Sequence, residues 1–305
     1  MLSYTLKRLG LALLVALTVS FLSFALLYLS GDPAAALAGE AATEVDIEAI
    51  RSQFGFDRPV LVQYLEWLGN ALQGDFGQSY YFNLPVADLL MDRLPVTLTL
   101  GLCAITFALV TAIPLGVAAA VKPNSIIDRT ALLISVLGQA MPSFWFALVL
   151  VVIFSISLGW LPASGADTPW HFVLPTVVLG YYAMPAIMRL TRTGMLETLA
   201  SDYIRTARAK GAGPLRVLFR HALRNAIIPV VSLAAVQMGF MLGGSIVVET
   251  VFALHGAGYL AWESISRNDL PTVQALILIF ALFYIVFTLL ADLLNAWINP
   301  RIRVG

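Results

Sequence analysis

The sequence predicts an all-α polytopic membrane protein with six transmembrane helices and both termini in the cytoplasm. Three observations carry that prediction. Of the 305 residues, 59% are hydrophobic and only 12% are charged, with zero net charge; a water-soluble protein of this size carries about twice that charge. Six apolar runs recur along the chain, each close to the ~20 residues that a helix needs to cross hydrocarbon. The Lys and Arg residues fall unevenly between those runs.

The runs cover about 9–29, 96–121, 131–159, 171–190, 226–252 and 271–296. Pro114, Pro142, Pro175, Pro185, Gly239, Gly243 and Gly244 lie inside them, and membrane helices tolerate such residues where neighbours satisfy the freed backbone groups. The fourth run is the shortest and holds two prolines. The first could be the apolar segment of a signal peptide, but its length favours a retained span. With the N-terminus inside, the inner segments hold 14 of the 18 basic residues and the outer segments only Arg51, Arg58, Arg93 and Arg267. That bias places both termini, and the long segment after the fourth run, in the cytoplasm.

Residues 30–95 form the longest outer segment, with ten acidic residues against three arginines. Thr43 with Asp46 has the spacing of a capping box, and Pro59 opens an amphipathic stretch. A small folded cap is expected, and docking an external partner or sealing the outer mouth suits it equally. The organisation is then 1–29 N-terminal segment and first span, 30–95 cap, 95–296 five-helix core, and 297–305 cytoplasmic tail.

Within the core, residues 196–226 form an elbow. "LETLASDYIRTARAK" has the composition of a helix, Gly211 suits a left-handed cap, and Pro214 suits the first turn of a second helix. In that second helix Leu215, Leu218, Phe219, Ala222 and Ala226 share one face. Arg216, Arg220 and Arg224 recur every four residues on another. Three roles suit such a greasy and basic elbow: a topological anchor touching membrane lipid phosphates, a nucleic-acid patch, and a docking site for a soluble partner. No stacking aromatics support nucleic acid. The small-residue turn "AKGAGP" favours docking, because it lets another backbone approach closely.

The stretch "RTARAKGAGPLRVLFRHALRNAIIP" (205–229) resembles the cytoplasmic signature loop of binding-protein-dependent ABC importer permeases. That pattern reads Glu-Ala-Ala, three residues, Gly, nine residues, Ile-x-Leu-Pro. Aligned on Gly211, the chain matches its generic form at Ala207, Gly211 and Leu223. The departures are similar to the branch for dipeptides, oligopeptides and nickel, in the first of its two paired subunits. "FGFDRPVLVQYLEWL", "GDFGQSY", "MPSFW", "GGSIVVETVF" and "DLLNAWINPRIR" resemble landmarks of that branch in order and spacing. His255 stands where those permeases usually have Pro, and Asn299 where they have Asp before Pro300.

The resemblance implies a type I importer permease fold in a bacterial cytoplasmic membrane. It implies a homologous second permease subunit, two ATPase subunits and an extracytoplasmic substrate-binding protein. Arg205, Thr206, Ala207, Arg208, Ala209, Lys210, Gly211, Gly213, Pro214, Arg216 and Arg220 would then make up the ATPase-coupling surface. Dipeptides, oligopeptides, nickel chelates, glutathione-like thiols and opines are the substrate classes it leaves open. No lysine follows a glycine in a phosphate-loop pattern, so ATP and Mg belong on the partner ATPases and no cofactor on this chain.

Residues for the path itself come from polarity inside the spans. Gln139, Ser143, Gln237 and Ser245 are polar there, and Met141-Pro142-Ser143 breaks the third run as a gate hinge would. Glu249 suits either a role in the outer gate or in holding the following loop, or else an interfacial acid that snorkels or pairs with an Arg of the partner. Asp292 suits pairing between helices, with a basic residue of the elbow as partner, more than contact with substrate. His171, His221 and His255 show no metal-ligand spacing, which disfavours an intramembrane enzyme. A secondary transporter would call for an inverted repeat and midplane ionisable groups, and neither is evident.

Overall fold

The computed structural model describes residues 2–29, 31–38 and 42–298. The expected tail 297–305, with Arg301, Arg303, Asn299 and Pro300, lies almost wholly outside them. No strand forms among the described residues. The chain opens with α1 (Leu2–Leu29) and three short helices, α2 (Pro33–Ala38), α3 (Glu44–Phe54) and α4 (Val60–Leu72). Next come α5 (Val86–Val121), α6 (Ile126–Ala140) and α7 (Ser143–Leu150), the last prolonged by π-helical winding over Val151–Ser157. α8 (Val173–Leu199) leads into the elbow, built from α9 (Asp202–Ala209), α10 (Pro214–Arg216), a π-helical stretch Val217–Leu223 and α11 (Arg224–Ala226). α12 (Ile228–Val251), α13 (Ala257–Ser266) and α14 (Leu270–Ile298) complete it. One end of the bundle carries residues 31–38, 42–85 and α13, and is called here the cap end. The other carries the elbow.

Among the described residues five helices are long and apolar enough to cross a membrane, and they match five of the six apolar runs. The sixth, the run over 131–159, is broken at Met141-Pro142-Ser143, where the sequence places an interruption. α6 and α7 meet at 107°. The cause is local: Pro142 crowds the residue before it out of helical geometry, and Met141 is extended at φ −85°, ψ 128°.

Two boundaries also move. α5 starts at Val86, inside the segment assigned to the cap. The fourth span does not stop near 190 but runs to Leu199. Pro175 sits in its first turn, where no backbone N–H is needed, and Pro185 is accommodated within the helix.

The tightest helix pair is α5 with α8. Ala104, Ala108, Ala112 and Gly116 recur every fourth residue on one face of α5 and are buried. Gly180 of α8 lies so close that a Cβ there would come 2.6 Å from the Ala104 carbonyl oxygen. A Cβ on Gly116 would come 2.7 Å from the carbonyl oxygen of Met188. Lipid supplies no hydrophobic drive between helices, so close backbone packing over small residues carries this contact. Around it Leu100, Ile187, Met188, Val230, Met241 and Phe252 form the main core.

α1 stands at the periphery against α14, with Leu11, Leu13 and Leu14 outward and 57–62% exposed; hydrocarbon is their solvent. Its cap-end half is pinned by Ser20 Oγ at 2.8 Å from Tyr64 Oη of α4 and by Ser23 Oγ donating to the Gln274 carbonyl at 2.8 Å. In the cap, Thr43 and Asp46 form the expected capping box. The Thr43 hydroxyl, donating to the Asp46 carboxylate at 2.7 Å, holds that carboxyl below its ordinary range.

One substitution at two glycines separates packing from propensity. Gly180→Ala drives a methyl into the α5 backbone and is expected to cost about 1–3 kcal/mol. Gly243→Ala meets nothing within 4 Å and is expected to be neutral or to stabilise by up to about 1 kcal/mol. Thermal unfolding of both variants in one detergent reads the difference.

Candidate functional site

The elbow is a bare tip on a buried base. Ile204 is fully buried beside Val117, Met195, Val217, Ala222 and Ala226, the one fully buried side chain of α9. Beyond it, Arg205, Thr206, Arg208, Ala209, Lys210, Gly211, Gly213, Pro214, Arg216 and Arg220 are exposed, and Ala207 is half-buried. The tip turns through a Schellman motif. Gly211 takes φ +82°, its N–H reaches the Arg208 carbonyl at 2.9 Å, and the Ala212 N–H reaches the Ala207 carbonyl at 3.1 Å. Tyr203 Oη receives Asn225 Nδ2 at 2.7 Å and bonds the His221 carbonyl at 3.3 Å, which closes the two arms on each other.

Two expectations about the elbow change. The first arm is not one helix from 196 onward: the chain turns at Ala200 and Ser201 before α9 starts. In the second arm Val217, Ala222 and Ala226 are buried, while Leu215 and Phe219 are 72% and 58% exposed. The π winding contributes: its i→i+5 hydrogen bonds widen the turn and shift the side-chain spacing away from the α-helical one over Val217–Leu223.

At the cap end, Glu249 is fully buried and works as a remote cap for α13. Thr97 Oγ1 of α5 donates to Glu249 Oε1 at 2.8 Å, and the Tyr259 N–H donates to Glu249 Oε2 at 2.9 Å. Thr97 Oγ1 in turn accepts the Ala257 N–H at 2.8 Å. Two of the first-turn donors of α13 are thereby paired, and the helix's positive end faces a carboxylate. The approach needs glycine: a Cβ on Gly256 would lie 2.5 Å from Glu249 Oε2, and one on Gly258 would lie 2.9 Å from Ser245 Oγ. His255 stacks on Tyr259 at 4.9 Å, and its carbonyl accepts Arg93 Nη1 at 3.2 Å.

A second buried acid, Asp269, escaped the sequence reading. It accepts Ser79 Oγ at 2.6 Å, the Tyr80 N–H at 2.9 Å and Thr272 Oγ1 at 2.7 Å. It thus ties the loop 77–85 of the cap to the start of α14. The signal was available in "NDLPT", an acid at a helix start with Pro in the first turn.

A third, Asp128, is gripped at the elbow end by Arg192 through Nε at 2.6 Å and Nη2 at 2.7 Å. The Asn124 N–H adds a bond of 2.8 Å. This fork fastens α6 to α8 just before the chain enters the elbow.

The path candidates separate into groups. Ser143 and Gln237 meet across a cavity of about 390 Å³, with Tyr182, Phe240 and Gly244 around them. Gln139 is drawn aside by Arg189 Nη1 at 3.1 Å. Met141 and Pro142 are the bend itself. Ser245 and Glu249 are buried behind the wall of the cavity, against α13 and α5. Asp292 pairs between helices, but with Arg8 of α1 at 2.9 Å and not with the elbow. No group of three or more His, Cys, Asp or Glu residues that could hold a metal occurs among the described residues.

Comparison with known proteins agrees with this architecture. Residues 112–304 match the family described as binding-protein-dependent transport system inner membrane component, and residues 1–101 match the corresponding N-terminal family. The glutathione transport system permease protein GsiC of Escherichia coli K12 is 42% identical over 304 residues, 99% of both chains. The protein of the same name from Shigella dysenteriae serotype 1 is equally similar. The inward-facing MetNI methionine ABC transporter superposes on 69% of this chain and 96% of its own, with a TM-score of 0.57 at 20% identity.

Glu249→Ala should leave the Thr97 hydroxyl and the Tyr259 N–H unpaired in a dry site, at about 1–3 kcal/mol, with Glu249→Gln milder. Faster amide exchange confined to 257–260 is the expected signature; unchanged exchange there would remove the capping role. Asp269→Ala should expose residues 77–85 to limited proteolysis while α14 stays protected.

Proposed function

The chain belongs to the binding-protein-dependent transport system inner membrane component family, and from that membership we propose that its elbow is the surface by which a separate ATPase drives it. It is a multi-pass inner-membrane permease subunit of a bacterial ABC importer. The single observation that carries the coupling role is the bare tip. A Cβ added at Gly211 or Gly213 meets no other atom of the chain within 4 Å, while Ile204 and Tyr203 hold the base. Residues 205–216 therefore present small side chains, cations and the exposed Leu215 to a partner and do little for the fold.

Orientation follows from the same reading: the elbow and both termini face the cytoplasm, and residues 30–95 with α13 face outward. ATP and Mg are bound by the ATPases, and this subunit is non-catalytic. A homologous second permease completes the pathway, which runs past the cavity lined by Ser143, Tyr182 and Gln237. An extracytoplasmic receptor delivers substrate to the cap. Full-length similarity to a glutathione permease favours short peptides, glutathione-sized ones first.

A pull-down of tagged chain in mild detergent is expected to recover a homologous permease and one or two phosphate-loop ATPases. A chain that transports alone would remove the ATPase-coupled reading. Gly213→Trp adds bulk at a backbone of ordinary φ, −63°. It should leave insertion and thermal stability intact while lowering uptake about tenfold or more, equivalent to about 1.4 kcal/mol of docking energy. Normal uptake by this variant would take the coupling role away from the tip.

A further inference from the structure

α5, the start of α6 and the π-wound arm of the elbow enclose a groove of about 570 Å³. Its walls are apolar: Pro114, Val117 and Val121 from α5, Ile127 from α6, and Phe219 from the arm. Lys122 is the one charged residue among those that line it. Lys122 follows the last residue of α5, so it stands where a span leaves hydrocarbon. From there the walls descend to Ile113, about 13 Å deeper at the rise of an α-helix. The polarity runs in the order of an amphiphile, with a cation at the interface and hydrocarbon below.

The charge at the mouth is uncompensated. Lys122 makes no ion pair among the described residues, nor do Arg129, Arg220 and Arg224. Arg220 and Arg224 each follow a groove residue of the arm, Phe219 and Leu223, and Arg129 lies two residues beyond Ile127; all three are exposed. The acid nearest in sequence, Asp128, is buried and committed to Arg192 and acts on its neighbour Arg129 only through space, so Lys122, Arg220 and Arg224 keep their charge unpaired. The arm takes part because its winding turns Phe219 outward.

We propose that this groove binds an anionic phospholipid, with the phosphate at Lys122 and one acyl chain along Val121, Val117 and Pro114 against Phe219. Basic pockets beside membrane helices recognise anionic head groups through the same combination of charge and depth. The lipid is then a wedge between a span and the moving arm of the elbow. This assignment needs only that α5 crosses a bilayer, and does not depend on the identity of any transported substrate.

The test is native mass spectrometry of the purified full-length chain, exposed to equimolar phosphatidylglycerol and phosphatidylcholine. Wild type is expected to retain phosphatidylglycerol about fivefold over phosphatidylcholine, a factor that matches one basic residue at the interface. Lys122→Gln, at an exposed position, should abolish most of that preference. Ala118→Trp fills the groove from its open side and should lower retention of both lipids with Lys122 intact; if that variant fails to fold, Ala118→Leu makes the same comparison. Equal retention of the two lipids by wild type overturns the proposal, as does an undiminished preference in Lys122→Gln. Wild-type retention by the groove-filled variant also overturns it, because the lipid would then sit on the basic surface alone.

Discussion

The close contact of α5 with α8 is the constraint on which the rest depends. Where lipid surrounds a helix, apolar side chains gain little by turning toward another helix, and backbones must come within reach of each other's dispersion forces. Gly116 and Gly180 allow that over most of the bilayer depth. The pair then behaves as one thick rod. Its cap end offers Thr97 to Glu249, and its elbow end offers Arg192 to Asp128 and Met195 to the base of α9. A displacement imposed on the tip of the elbow would thus reach a rigid body and not a single flexible helix.

Three buried acids finish what the rod begins. Asp128, Glu249 and Asp269 each join elements distant in sequence, and each has its oxygens occupied. A carboxylate removed from water is tolerable only on those terms. Asp128 has an arginine. Glu249 and Asp269 have backbone N–H groups and hydroxyls at helix starts, where the helix dipole adds to the hydrogen bonds. The arrangement puts polar junctions at the two ends of the bundle and leaves the middle to apolar packing and to the cavity of Ser143 and Gln237.

Much of this was legible in the sequence, and the exceptions have identifiable causes. Spans follow from hydropathy, because hydrocarbon thickness sets their length whatever their neighbours do. The left-handed Gly211 and the Thr43–Asp46 box were readable because local backbone geometry demands those residue types. The 107° bend was half legible: Pro142 announces an interruption, but its angle depends on how α7 packs on α8 and α12. The single apolar face expected for Leu215, Leu218, Phe219, Ala222 and Ala226 is split, with Leu215 and Phe219 exposed and Ala222 and Ala226 buried, since π winding leaves no residue signature. Asp292 pairs with Arg8 and not with the elbow expected from sequence, because attraction between opposite charges is not specific and the packing of α1 on α14 brings Arg8 within reach.

The π-helical stretch has a consequence for lineage. Such a winding is an α-helix carrying one residue more than its turns require. Removing a residue between Val217 and Leu223 would restore ordinary winding while the helix on either side kept its facing, because the wide turn absorbs the extra residue locally. What would change is the spacing of the side chains inside the stretch, Phe219 among them. Single-residue gaps in this arm, when relatives are aligned, are therefore local changes of side-chain placement, and the aim of the flanking helices survives them.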